Sequence, residues 1–191
     1  MNEQPFYGKR VIIVHGYTAS PSANWFPWLR DTLATQGAQV LLPSMPDSQS
    51  PQPLAWAKTL DKLLPHADTS TFLIGHSLGC VALMRHLQSM PLGTRIGGYV
   101  LVSGFDCGLS TLPELAAFTS SPLNYAVLRE RAAHRASIIS ADDAIVAPQA
   151  SHQLAEALQT RVVEVKNGGH FLDRDGYTSL PPVYETLQAM L

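Results

Sequence analysis

The sequence predicts an α/β fold: a compact three-layer domain in which a parallel sheet carries helices on both faces. Three observations predict it. Short apolar, β-branched runs alternate along the chain with segments whose apolar residues recur at helical spacing. The runs are apolar on both faces, as strands of a doubly covered sheet must be. A serine set between two glycines, "GHSLG", stands where the third run gives way to a helical pattern.

The chain has 191 residues, a length expected of a single domain spanning 1–191. No internal repeat or linker interrupts it. Apolar residues make up 46% and charged residues 15%, which excludes disorder on composition. The formal net charge is −2 and no basic run occurs, so neither nucleic acid nor an anionic membrane is expected as partner. The first residues, "MNEQPFYGKR", lack a signal peptide's apolar segment, and no apolar stretch approaches the ~20 residues that cross a bilayer. Cys80 and Cys107 belong to no metal-binding spacing. Cys80 lies on an apolar helical stripe, and reduced thiols in a cytoplasmic protein are the expectation.

Val11–Val14 reads as the first strand. A helix follows over about Trp25 to Gln36, with Asn24 placed to cap it and Gly37 to end it. Val40–Leu42 is a second strand, and "PSMPDSQSPQP" is too rich in proline and serine for a regular element. Pro53 opens a helix that buries Trp56, Leu60, Leu63 and Leu64. Thr71–Ile74 is the third strand and Leu78–Gln88 its helix. Tyr99–Val102 is the fourth strand, leading into the long connection "SGFDCGLSTLPELAAFTSSP". A helix over Asn124–Ala133, a strand at Ser137–Ile139, a helix at Gln149–Leu158, a strand at Val162–Val165, the loop "KNGGHF" and a helix near Pro182–Met190 complete the chain.

"GHSLG" fits G-x-S-x-G in the strand-to-helix context that gives this pattern meaning. A serine projecting from so sharp a turn is held in a strained backbone, and side chains at Gly75 or Gly79 would collide with the neighbouring strand or helix. The turn lifts the Ser77 hydroxyl clear of the sheet at the carboxyl edge, where open α/β folds bind ligands. A serine hydroxyl needs a base. Of the seven histidines, His66, His86, His134 and His152 fall in helices or their flanks and read as solvated surface. His76 shares the serine's own turn and is expected to pack beside it. His15 follows the first strand and is expected to brace that loop. His170, in the loop after the last strand, reaches the same edge as Ser77 and is the candidate base.

The imidazole needs a carboxylate to fix its tautomer. Asp142 and Asp143 end the fifth strand in "SADDAIVAP", and Asp106 follows the fourth. Asp143 is favoured, with Asp142 and Asp106 as competitors; the losers are expected to serve turns or caps. The order Ser, Asp, His is that of α/β-hydrolases. An oxyanion would meet the amide of Leu78 at the helix start and that of Tyr17 in "HGYTAS", where Gly16 permits an unusual turn.

At these residues the chain resembles an α/β-hydrolase, and more narrowly the small bacterial serine hydrolases related to retinoblastoma-binding protein nine. The resemblance rests on "VIIVHGYTASPSANWFPWL", "LPSMPDSQSPQPLAWAKTL", "FLIGHSLGC", "SADDAIVAP" and "NGGHF". It implies Ser77 as nucleophile, Asp143 as acid and His170 as base, on a reduced, Rossmann-like hydrolase sheet of six strands in the order 2-1-3-4-5-6. The family's D-P-x-x-P is altered: Ala144 replaces the first proline and Pro148 comes one place late.

The usual helical cap is reduced to about twenty residues. Phe105, Leu109, Leu112, Leu115 and Phe118 either form a minimal lid or pack on the sheet edge. His15, Trp25, Phe105 and Phe171 are the candidate pocket residues. Among the active loops only Lys166 and Arg174 are cationic, so the expected substrate is a small neutral ester, and neither metal nor organic cofactor is required. The chemistry expected is two-step acyl transfer. The alternatives are a thioesterase or peptidase with the same residues, or a non-catalytic binding module on the same fold.

Overall fold

In the computed structural model, which describes residues 4–191, six strands form one parallel sheet in the order β2-β1-β3-β4-β5-β6. They are β1 (Arg10–Val14), β2 (Gln39–Leu41), β3 (Thr71–His76), β4 (Ile96–Val102), β5 (Ala132–Ser140) and β6 (Arg161–Val165). The helices are α1 (Phe26–Thr35), α2 (Pro53–Leu63), α3 (Leu78–Ser89), α4 (Ala116–Thr119), α5 (Tyr125–Arg131), α6 (Pro148–Leu158) and α7 (Pro181–Gln188). The expected strand order and layer plan are those observed.

Period-2 alternation of the strands divides the core between two faces. Ile12, Val14, Leu73, Tyr99 and Leu101 meet the apolar sides of α2, α3, α5 and α6. Val11, Ile13, Ile74, Val100 and Val102 point the other way, to Phe26, Leu29 and Leu33 of α1 and Val183 and Leu187 of α7. Strand order reverses at β1, which is flanked by β2 and β3. The carboxyl ends of β1 and β3 therefore lie together at the point where such sheets open a crevice.

Three expectations are corrected. Asn24 does not cap α1: Trp25 holds the cap position with no side-chain bond, while Asn24 adopts φ 53° and its Oδ1 accepts the Asp173 N–H at 2.9 Å. The fifth strand starts at Ala132, so the helix before it ends at Arg131 and His134 lies on a strand. Its polar amino end, "AAHRAS", lacks the apolar alternation of a strand. His86 is buried: its Nδ1 faces Asp61 Oδ1 at 3.1 Å and its Nε2 faces Leu64 O at 3.2 Å, tying α3 to the end of α2.

For the reduced cap, the second of the two expected alternatives is the one observed. Phe105, Leu115 and Phe118 are core residues, with Phe118 edge-on to Trp56 at 5.6 Å. Arg85 of α3 donates to the carbonyls of Phe118 and Ser121. The segment is packed down, and of its apolar residues Leu112 reaches the cavity described below.

Candidate active site

Ser77 sits between β3 and α3 with φ 53° and ψ −120°, a conformation that costs of order 1–3 kcal/mol. The surroundings enforce it. The Ser77 amide donates to Val102 O of β4 at 2.9 Å. A Cβ on Gly79 would stand 2.2 Å from Val14 O, and one on Gly75 would stand 2.7 Å from Cys80 Cα. Gly75 thus lets β3 meet α3, and Gly79 lets α3 meet β1. Thr18, Ser103 and Phe171 also have positive φ. Strain is therefore gathered at the carboxyl edge, as it often is at functional sites.

The loop after β1 lies against the serine, since a Cβ on Gly16 would be 3.0 Å from Ser77 Cβ. His15 is fully buried beneath it. Its Nδ1–H donates to Gly16 O at 2.9 Å, and its Nε2 accepts from the Met45 amide at 3.0 Å. Burial lowers the His15 pKa, which keeps the ring neutral as this pair of bonds requires. Pinning the Gly16 carbonyl turns the N–H of the same trans peptide, that of Tyr17, to the opposite side. The Leu78 amide is the first of α3 and has no acceptor inside the helix.

From the far end of the sheet, His170 Nδ1 meets Asp143 Oδ2 at 2.7 Å, both side chains buried. Ser103 Oγ–H donates to the same oxygen at 2.8 Å, and the amides of Ile145 and Val146 donate to Oδ1, each at 2.9 Å. Burial pushes the Asp143 pKa up, but His170, the Val146 amide and the Ser103 hydroxyl outweigh it, and the net shift is downward. A carboxylate so held stays ionised and keeps the imidazole proton on Nδ1.

Asp142 points elsewhere. Its Oδ1 takes the Gly169 N–H at 2.9 Å and the Ser140 hydroxyl at 2.6 Å, and Ser140 Oγ takes the Gly168 N–H at 3.0 Å. Adjacent aspartates thus divide the work: one holds the ring of residue 170 and the other holds its loop. Asp106 accepts from the Tyr125 hydroxyl at 2.5 Å, a link within the packed-down connection. Ser103, Asn24 and Asp142 are supporting residues that sequence reasoning missed in these roles. For Ser103 the available signal was a polar side chain ending the strand next to β3.

Ser77, His170, Gly16 and Tyr17 line one cavity of about 230 Å³, with Ala19, Leu112, Ile145 and Leu172 as apolar wall and Arg174 at its margin. The hydrogen bonds of Ser77 and His170 do not include a direct bond between the two side chains; such bonds are often long until a substrate is seated. The expected pocket residues are not on this wall. His15 lies under the loop. Trp25 is fully buried against Phe26 and His76. Phe105 belongs to the core, and Phe171 packs on Tyr177 at 5.2 Å. Lys166 does not line the cavity, whereas Arg174 does. Among the described residues no group of three or more His, Cys, Asp or Glu could hold a metal ion, and no helix is long and apolar enough to cross a membrane.

A strained serine at a strand–helix turn, a histidine–carboxylate pair at the same edge and a six-stranded 2-1-3-4-5-6 sheet define the class: this is an α/β-hydrolase fold with a serine-centred site. The chain belongs to the serine hydrolase family, whose sequence model matches residues 11–189. It is 42% identical over 179 residues to YdeN of Bacillus subtilis, covering 94% of each chain. It is 26% identical over 166 residues to the serine hydrolase RBBP9 of Rattus norvegicus, covering 85% of this chain and 87% of that one. The crystal structure of the B. subtilis ydeN product superposes with a TM-score of 0.93 at 41% identity, covering 95% of this chain and 98% of that one. A structure from work on carboxylesterases of Nitrososphaera gargenis shares the fold, with a TM-score of 0.67 at 12% identity over 95% of this chain and 89% of that one.

Proposed function

We propose that the protein is a carboxylesterase that cleaves small neutral acyl esters through a covalent acyl-enzyme on Ser77. The observation that carries this reading is the buried 2.7 Å His170–Asp143 pair, whose His170 lines the same cavity as Ser77. In the first step Ser77 Oγ attacks the acyl carbonyl carbon and its proton passes to His170 Nε2, while Asp143 steadies the imidazolium through Nδ1–H. The carbonyl oxygen becomes an oxyanion facing the amides of Tyr17 and Leu78. Collapse expels the alcohol, which takes the proton from His170. Water then attacks the acyl-enzyme with His170 as base and releases the acid.

Cavity size supports a small substrate, since about 230 Å³ is below the roughly 300–1,000 Å³ of drug-sized sites. Of the packed-down connection's apolar residues Phe105, Leu109, Leu112, Leu115 and Phe118, Leu112 lines that cavity. The wall is mainly apolar, and Arg174 is exposed, so its charge is screened by solvent and offers little selectivity. The reading needs no cofactor, nucleic acid or membrane, and it suits a cytoplasmic enzyme. A series of p-nitrophenyl esters tests it: kcat/KM is expected to peak at C2 to C4 acyl groups and to fall steeply by C12. Faster turnover of C12 than of C2 to C4 would overturn the small-acyl assignment.

A further inference from the structure

One buried titratable side chain at the site has no part in the chemistry just described. His76, the residue before Ser77, is 2% exposed. Its Nε2 lies 2.9 Å from the main-chain oxygen of His170. A carbonyl only accepts, so the His76 ring carries its proton on Nε2. The two imidazole rings are 4.9 Å apart, centroid to centroid. Trp25 at 5.9 Å and Phe26 at 5.7 Å pack against the His76 ring from α1 and its approach, and His76 also lines the cavity.

We propose that His76 is a positioning residue for the reaction: its Nε2–H holds the His170 main chain, so that a single hydrogen bond sets the spacing between the serine's turn and the histidine's loop. The inference rests on the Ser77–His170 chemistry proposed above. Residues 76 and 77 are consecutive, and the accepting oxygen belongs to residue 170 itself. The bond therefore joins the serine's turn to the residue that bears the base.

The other supports of the histidine loop come from different segments. Asp142 takes the Gly169 amide at 2.9 Å, Asp175 takes the His170 amide at 3.3 Å, and Asp143 fixes ring rotation. None of these ties the loop to the strand that bears Ser77; His76 does. The peptide it holds precedes Phe171, whose φ of 54° makes this stretch strained and in need of an anchor. Burial, and next the nearby His170 charge, lower the His76 pKa to about 3. The ring therefore remains a neutral donor and adds no repelling charge when His170 takes up the serine proton.

A packing role and a positioning role predict opposite orders for two variants. His76→Phe keeps a flat ring but loses the donor. His76→Gln loses the ring but places an amide N–H near the position of Nε2. Misplacement of a reacting group by about 1 Å costs on the order of 100-fold. Positioning predicts that H76F lowers kcat for p-nitrophenyl acetate by about 10- to 100-fold with KM within about twofold, and that H76Q recovers most of the loss. Retention of kcat by H76F, or an equal loss in H76F and H76Q, would overturn the proposal. Should H76F fail to fold, His76→Asn replaces it, because its shorter amide does not reach the His170 oxygen; it is expected to fall like H76F, and a kcat equal to that of H76Q would overturn the proposal. The rate of fluorophosphonate labelling at Ser77 is followed alongside. A native protein that does not label overturns the serine-hydrolysis reading and this inference with it. A native protein that labels, with H76F labelling equally fast, overturns this inference alone.

Discussion

Asp142 and Asp143 are neighbours in sequence and of one residue type, yet they face different atoms. Asp143 holds the His170 ring, and Asp142 holds the Gly169 amide and the Ser140 hydroxyl. Their substitution should separate accordingly. Asp143→Asn leaves the shape intact but lets the imidazole take the wrong tautomer, so kcat is expected to fall by about 10⁴-fold. Asp142→Asn loosens only the loop and is expected to cost roughly tenfold. Equal losses, measured as kcat on one short-chain ester, would contradict this division. The choice between the two could not be made from spacing, because an aspartate at a strand end serves a turn as readily as a histidine. Asn24 shows the same difficulty. Beside a helix it reads as a cap, whereas it holds Asp173, 149 residues further along the chain, by a contact that no local pattern contains.

At the level of elements, strands and helices were legible because their periods differ and because the core demands both. The central strands β1, β3 and β4 supply apolar residues to two helical layers, so their runs stand out even at four or five residues. Where that demand lapses, the pattern does too: the amino end of β5 is solvent-exposed at Ala133 and His134, carries polar residues and reads as helix. His86 was misread for the opposite reason, since a buried histidine satisfied by Asp61 and Leu64 looks like any other on a helix. Trp25 and Phe105 follow active-site loops in sequence but turn inward to the core, because large aromatics gain more by full burial than by lining a small cavity. The elbow between β3 and α3 depends on backbone proximity. With a Cβ at Gly79 placed 2.2 Å from Val14 O, Gly79→Ala must push α3 away from β1, at a cost of about 3 kcal/mol or more. That corresponds to a fall in Tm of roughly 6–12 °C for a chain of this size. An unchanged Tm by calorimetry would show that the two elements are not in such close contact.

For the molecule as a whole, burying neutral histidines makes stability depend on pH. His76 has a folded pKa of about 3 against an ordinary value near 6.5, and His15 is shifted in the same direction. In the window between those values the unfolded chain binds a proton that the native protein refuses, so stability rises with pH there and is lost on acidification. His76 alone is expected to remove about 2 kcal/mol between pH 7 and pH 5. Below about pH 4 the depressed Asp143 adds a second loss, because the unfolded carboxyl is then protonated first. Urea unfolding at pH 7 and pH 5 checks the first of these: H76F should show a shallower dependence than the native protein by about that amount, and parallel lines would refute it.

The central claim is that Ser77 becomes a nucleophile because His170 and Asp143 meet it at one sheet edge. Fluorophosphonate labelling followed by intact-mass and peptide mass spectrometry tests this most directly. The expected result is a single adduct on the peptide bearing Ser77, absent in Ser77→Ala and strongly slowed in His170→Ala. Labelling that persists in Ser77→Ala, or proceeds at the native rate without His170, would contradict it.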